Sequence, residues 1–232
     1  MILRRPPPKP PDEPHFLDDP EVADAFERML DEFSRETDRG AILVAADIVA
    51  AHLAKVIEEL APNSFNPKRV KELLNYPGPL NTFAARADIA FMAGFIDKTA
   101  HRSVDLLRRL RNKAAHSQSA FRLSEHRDKL REMCDLGPGT AVAINRFALN
   151  AMLQSFISRV MAGGDDLVAK IGRNPFETPG DVIDHLLNRP DVIASLEDRL
   201  PRMELAFGVC LLLGLIAHHR KRLVAKRTSP SY

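Results

Sequence analysis

The chain has little of what marks a disulfide-bonded or zinc-binding protein. Its 232 residues include only two cysteines, Cys134 and Cys210, and neither belongs to a CxxC motif or to a cysteine–histidine cluster. The sequence therefore argues against a disulfide framework and a zinc finger, and it predicts no metal site and no cofactor. Because low cysteine content without a disulfide pattern fits a reducing compartment, we expect a cytoplasmic protein.

An excess of charge of one sign is also lacking. Lysine and arginine number 33 against 31 acidic residues, so the formal net charge is only +2. A protein that binds nucleic acid through bulk charge carries a large basic excess, so this class is excluded. Local basic patches remain the places where phosphate groups could bind.

A long hydrophobic run is missing too. The most apolar segment, residues 205–217, has 13 residues, whereas a membrane-spanning helix needs roughly 20. The basic run at residues 218–222 resembles the flank of a membrane helix, which keeps a membrane span as an alternative. We favour a buried core helix and no membrane partner. The N-terminus has no apolar core of signal-peptide length.

Alternating strand patterns, internal repeats and glycine-rich phosphate loops are absent, and apolar residues recur instead at helical spacing. We predict an all-α fold, a multi-helix bundle with no sheet. Seven of the 17 prolines fall within residues 1–20, which predicts a disordered Pro-rich arm. A helical core at residues 21–136 and a C-terminal helical extension at 137–232, packed on that core, complete the predicted organisation. The predicted helices cover residues 21–36, 41–60, 68–76, 82–95, 98–117, 124–136, 141–161, 181–188 and 191–198, and a last helix begins at Pro201.

The most informative side chains lie together in the predicted helix 98–117. The run from Arg111 to His116 places Arg111, Asn112 and His116 within six residues. An arginine can clamp a phosphate and a histidine can transfer a proton near neutral pH, so the run is suited to binding or cutting nucleic acid. The same residues could instead hold a helical bundle together.

Helical geometry restricts what this run can do. At about 100° per residue, Arg111 lies about 40° from Leu107, at the edge of an apolar stripe. A charge at the edge of a core must be paired or must face a site. Arg111 and His116 point about 140° apart, so joint action on one phosphate requires a distorted helix end or a second subunit. The stripe consists of Val104, Leu107, Leu110 and Ala114, and the candidate partners of Arg111 are Asp38, Asp47, Asp88 and Asp97.

Four stretches of the chain share their order and spacing with a known family. They are residues 37–44 (TDRGAILV), 78–86 (GPLNTFAAR), 91–96 (FMAGFI) and 110–117 (LRNKAAHS). Together they resemble the mannitol operon repressor (MtlR) family over roughly residues 35–135. The resemblance implies an all-helical bacterial regulator of the transcriptional-repressor type, without a recognisable helix-turn-helix. We therefore expect a homodimer that acts through a protein or nucleic-acid partner, either RNA or DNA.

The Arg-Asn-x-x-x-His spacing also resembles the signature of the HEPN superfamily of helical bundles. Many of its members are metal-independent RNases in which paired subunits form one active site. This resemblance implies that Arg111 would bind the scissile phosphate, that His116 would act as general acid and base, and that Asn112 would position one of them. Such roles agree with the chemistry of the two charged side chains.

Structural duties are predicted for residues outside this run. Asp38, Arg39 and Gly40 are expected to start a helix or to lie at an interface, with an ion pair to Arg111 or Arg86 as the alternative. Arg86 lies among alanines, so a buried ion pair is the expectation for it.

Two basic groups are candidates for contact with nucleic acid. Arg108 and Arg109 belong to the first group, in which interleaved acids favour an ordinary solvated surface. Arg220, Lys221 and Arg222 form the second group, which has fewer acids around it. The favoured function is an MtlR-type regulator that is not an enzyme. A HEPN-type endoribonuclease and a purely structural interaction module are the alternatives.

Overall fold

The computed structural model describes residues 20–62 and 64–228, and the predicted all-α fold is confirmed for these residues. They form ten α-helices and no strand. The helices are α1 (Pro20–Arg35), α2 (Asp38–Leu60), α3 (Pro67–Leu74), α4 (Phe83–Met92), α5 (Lys98–His116), α6 (Arg127–Met133), α7 (Thr140–Ala162), α8 (Gly164–Ile171), α9 (Pro179–Leu187) and α10 (Pro190–Thr228). A short 3₁₀ turn, Leu123–His126, precedes α6. The predicted Pro-rich arm lies outside the described residues except for Pro20, which begins α1.

Side-chain caps explain where several helices begin. The hydroxyl of Thr37 accepts a hydrogen bond from Gly40 N at 3.1 Å, which places the start of α2 three residues before the predicted Ala41. The carboxylate of Asp97 accepts one from Ala100 N at 2.7 Å and starts α5. Such caps satisfy backbone N–H groups that the first helical turn leaves without a partner.

One hydrophobic cluster holds both halves of the chain together. The predicted stripe of α5 is fully buried in it, and α2 packs against this stripe through small and β-branched side chains. The C-terminal helix α10 enters the same cluster and contacts α1, α2, α5 and α6. The core residues of α10 are Leu205, Val209, Leu212, Leu213 and Ile216. The hydrophobic core therefore does not divide at residue 137.

The apolar segment at residues 205–217 belongs to this core. Leu205, Leu213 and Ile216 are each at most 1% exposed. Two helical segments, Asp38–Glu59 and Pro190–Leu223, are long and apolar enough to cross a membrane, by length and composition alone. That is weak evidence, because core helices of soluble proteins meet the same criterion.

The prediction of two separate helices before and after Pro201 is wrong. Helix α10 runs without a break from Pro190 to Thr228, with Pro201 inside it. A proline in a helix interior removes one backbone hydrogen bond and costs about 3 kcal/mol. Apolar side chains before and after the proline, including Leu200 and Met203, pack against α7, and this packing favours one continuous helix.

Helix α8 was not predicted, because the pair Gly163-Gly164 indicated only a stop. Helix α7 does end at Ala162, and Gly163 is the residue between the two helices. Gly163 caps the C-terminus of α7 through its backbone N–H and also immediately precedes α8. A glycine pair can thus end one helix and begin the next.

Candidate functional site

Helix α5 carries the Arg111–His116 run and ends at His116. The next residue, Ser117, has an extended backbone with φ −68° and ψ 127°. Arg39 of α2 holds the chain beyond the helix, because its guanidinium donates to Ser117 O at 2.8 Å and to Ser119 O at 2.7 Å. Arg39 is therefore a positioning residue for the segment that follows His116.

Arg111 is partly buried, as its place beside the apolar stripe predicts. Its guanidinium donates to Asn112 Oδ1 at 3.4 Å, a long hydrogen bond. No carboxylate in residues 20–62 and 64–228 pairs with it. Its Nε and Nη2 atoms are not among the buried nitrogens that lack a hydrogen-bond partner, so these N–H groups remain open to an anion from outside this chain.

The four acids predicted as partners of Arg111 are not bound to it. Asp38 accepts from Leu123 N at 2.8 Å and lies 3.0 Å from Arg202 Nε. Asp88 lies 3.0 Å from His101 Nε2, and Asp97 caps α5. Asp47 is exposed on α2. The partners of Asp38 and Asp88 belong to other elements, which the predicted helix boundaries could not place beside them, whereas Asp97 caps the helix that follows it.

His116 is exposed at the last position of α5. Among the described residues, none forms a hydrogen bond, an ion pair or a ring contact with it. Since α5 remains helical up to His116, the expected divergence of about 140° between Arg111 and His116 persists. One chain does not bring the two side chains into contact.

The arginines that follow the middle of α5 are tied to an acid on the same helix. Arg108 Nη2 lies 2.6 Å from one oxygen of Asp105, and Arg109 Nε lies 2.7 Å from the other. Burial raises the pKa of Asp105, but hydrogen bonds from Arg108 and Arg109 outweigh burial and leave that pKa below its usual value. This ion-pair cluster carries less net charge than two free arginines would.

The C-terminal basic run is divided by burial. Arg220 is only 8% exposed, and its guanidinium lies 3.4 Å from Glu59 Oε2 of α2. Arg220 is therefore occupied inside the fold, in contrast to the predicted nucleic-acid contact. Lys221 and Arg222 are exposed.

The buried ion pair predicted for Arg86 is replaced by a different arrangement. Its guanidinium donates to three backbone carbonyls: Leu80 O at 2.9 Å, Leu74 O at 2.9 Å and Ala50 O at 3.1 Å. Burial lowers the pKa of Arg86, and Glu58 partly offsets this effect. Arg86 thus joins α2, the end of α3 and the loop before α4 by capping their carbonyls rather than by pairing with an acid.

The sequence did not predict the contacts of two charged residues of α10, Arg202 and Glu204. Arg202 connects α10 to Asp38 at the start of α2 and donates to Glu36 O at 2.7 Å. Glu204 is only 3% exposed and accepts a short hydrogen bond from Asn145 of α7. Their position directly before the apolar segment at residues 205–217 indicates that these charges lie near the core, but it does not identify their partners on α2 and α7.

His126 is partly buried, and the two cysteines of the chain are buried. Burial, together with the positive charge of Lys113, lowers the pKa of His126, whose ring lies 4.9 Å from that of Phe121. Burial likewise raises the pKa of Cys134 to about 12. Cys134 and Cys210 are both buried and unbridged. Within the described ranges, no group of three or more His, Cys, Asp or Glu side chains is arranged to hold a metal ion.

No protein-family model, no curated protein and no solved structure matches this chain. The uncommitted side chains at the end of α5 are Arg111, Asn112 and His116, which we call the α5 end site.

Proposed function

We propose that this chain is a cytoplasmic, homodimeric regulatory protein of the mannitol-repressor type that binds a partner through the α5 end site. The observation that carries the proposal is the state of Arg111, which is partly buried and has no carboxylate partner within the described part of the chain. Unlike Arg39 and Arg86, whose guanidinium groups donate to backbone carbonyls, Arg111 keeps N–H donors that a partner can use.

The chemistry of the site indicates what the partner supplies. A guanidinium binds carboxylates and phosphates through paired N–H donors. Lys113 is exposed on the same final turns of α5 and adds positive charge. An acidic protein surface or a nucleic-acid backbone would supply the missing counter-charge to Arg111.

Capture of partners by a tagged full-length chain after crosslinking tests this proposal. We expect Arg111→Met to capture the partner in less than about a tenth of the wild-type amount, because one charge-assisted contact contributes enough for such a change. Arg102→Met is the matched control, since Arg102 is exposed on the same helix and pairs with Glu132. Equal capture by wild type and Arg111→Met contradicts the proposal.

A HEPN-type endoribonuclease is the second candidate, and the exposure of His116 favours it. An imidazole at a helix end, without a partner among the described residues, is accessible to a second subunit. In such a dimer, Arg111 would bind the phosphate and His116 would transfer the proton of a ribose hydroxyl.

Cleavage of single-stranded RNA in EDTA distinguishes the two candidates. The ribonuclease requires cleavage that is lost in both His116→Ala and Arg111→Ala and retained in Arg102→Ala. Absence of cleavage by the wild-type protein, or cleavage that survives the first two substitutions, eliminates the enzyme.

A further inference from the structure

A cavity of about 730 Å³ opens between the end of α1, the second half of α7 and the middle of α10. Sites for small molecules generally have volumes of about 300–1,000 Å³, so this cavity has room for one. Most of its lining lies within residues 151–206, for which the sequence predicted no function. Its lining includes apolar side chains, which we call the apolar wall, and arginines, which we call the rim.

The apolar wall comes from all three helices. Phe33 of α1 and Met152 of α7 are 5% and 7% exposed. Leu196 and Met203 of α10 extend the same wall. This surface suits an alkyl chain, because each buried methylene contributes about 0.8 kcal/mol.

Three of the described residues that line the cavity are arginines, and two of them form no ion pair with a described acid. Arg202 is engaged by Asp38. Arg159 donates only through Nε, to Ser155 O of its own helix at 3.2 Å. Arg199 is exposed and forms no hydrogen bond or ion pair with any residue that the structure describes. Arg159 and Arg199 can therefore present guanidinium N–H groups to an anion.

Among the lining side chains that the structure describes, Glu36 is the one acid. Its carboxylate lies against the start of α2, since a Cβ built on Gly40 would be 1.8 Å from Glu36 Oε2. That position is favourable for an anion because a helix N-terminus carries partial positive charge. Glu36 forms no ion pair with Arg159 or Arg199. The charges of Arg159 and Arg199 are therefore not neutralised by the acid that the structure describes in this lining.

We propose that this cavity binds a small amphiphilic anion, with its oxyanion head group held by Arg159 and Arg199 and its alkyl tail on the apolar wall. Carboxylate and phosphate monoester head groups share the required chemistry, since both accept paired hydrogen bonds from guanidinium groups. The site is separate from the α5 end site, so it does not depend on the function proposed for that site.

Isothermal titration calorimetry on the full chain tests the proposal. The probes are dodecanoate and dodecyl phosphate, each below its critical micelle concentration. Dodecyltrimethylammonium has the same tail with the opposite charge, and inorganic phosphate has a head group without a tail. We expect one or both anionic amphiphiles to bind, and the stronger one identifies the head group. Binding should be absent for the cationic amphiphile and for inorganic phosphate.

Variants of the rim connect binding to the proposed contacts. Arg159→Gln combined with Arg199→Gln should weaken binding at least about tenfold, since two charge-assisted hydrogen-bonding groups are lost. Both side chains are exposed, so the fold should tolerate the change. Arg146→Gln is the matched control, an exposed arginine of α7 outside the cavity. Failure of both anionic probes to bind overturns the proposal, as does equal binding of the cationic probe or unchanged affinity in the double variant.

Discussion

Asp38 should be among the most sensitive polar positions of this fold. One of its oxygens accepts a hydrogen bond from Leu123 N at 2.8 Å, and the other lies 3.0 Å from Arg202 Nε. Both partners are distant in the sequence, so this carboxylate joins the start of α2 to the 3₁₀ turn and to α10. The Asp38 and Arg202 side chains are 14% and 19% exposed, which limits compensation by water.

The substitution Asp38→Ala removes both contacts. It leaves the Leu123 N–H without an acceptor and removes the counter-charge of Arg202, which keeps its hydrogen bond to Glu36 O at 2.7 Å. A lost charge-assisted hydrogen bond costs about 1.5–3 kcal/mol, and a stranded charge adds to this, so we expect a loss of about 3 kcal/mol. For a chain of this length that loss corresponds to a decrease in Tm of roughly 6–12 °C.

Urea unfolding followed by circular dichroism measures the effect. Asp38→Asn retains an acceptor for Leu123 N but loses the negative charge, so its free energy of unfolding should fall between wild type and Asp38→Ala. Asp47→Ala is the matched control, because Asp47 is an exposed acid of the same helix, and it should stay within about 0.5 kcal/mol of wild type. A loss below about 1 kcal/mol in Asp38→Ala would refute the reasoning, since it is less than one charge-assisted hydrogen bond contributes.

Three further predictions concern stability. Arg86→Lys should lose about 2–3 kcal/mol in urea unfolding, because one ammonium group cannot reach all three carbonyls that the guanidinium caps. Because burial lowers the pKa of His126, the unfolded chain takes up its proton first. Stability should therefore fall as the pH drops through about 6.5, the ordinary histidine value, and His126→Phe should reduce this dependence. Gly208→Ala should lower Tm despite a better helix propensity, because its Cβ would lie 2.5 Å from Cys134 Sγ.

Full stability in Arg86→Lys would show that the carbonyl contacts contribute little. An unchanged pH profile in His126→Phe would place the responsible proton elsewhere. Gly180→Ala controls for backbone effects, because its Cβ would meet only Thr178 Oγ1, at 3.4 Å. If Gly208→Ala is as stable as Gly180→Ala, the close approach to Cys134 is not a constraint.

Spacing along the chain predicted the features that depend on one helix at a time. The burial of the α5 stripe and the partly buried place of Arg111 beside it follow from helical periodicity alone. Periodicity does not say which helices face each other, so the contacts of Arg86 with carbonyls from three segments could not be predicted. The pair of Asp38 and Arg202 joins α2 to α10 and escaped for the same reason. At Pro201, packing against α7 outweighed the tendency of proline to interrupt a helix, which was the basis for predicting two helices.

If Arg111 binds a partner outside the chain, its side chain should contribute little to the stability of its own fold. The most direct measurement is the free energy of unfolding of Arg111→Met, a substitution that retains an unbranched apolar stem. Measurement at two protein concentrations separates a loss caused by dissociation of a homodimer, which depends on concentration. The account predicts a value within about 0.5 kcal/mol of wild type once that dependence is removed. A concentration-independent loss of about 2 kcal/mol or more would contradict it, because Arg111 would then hold its own chain together.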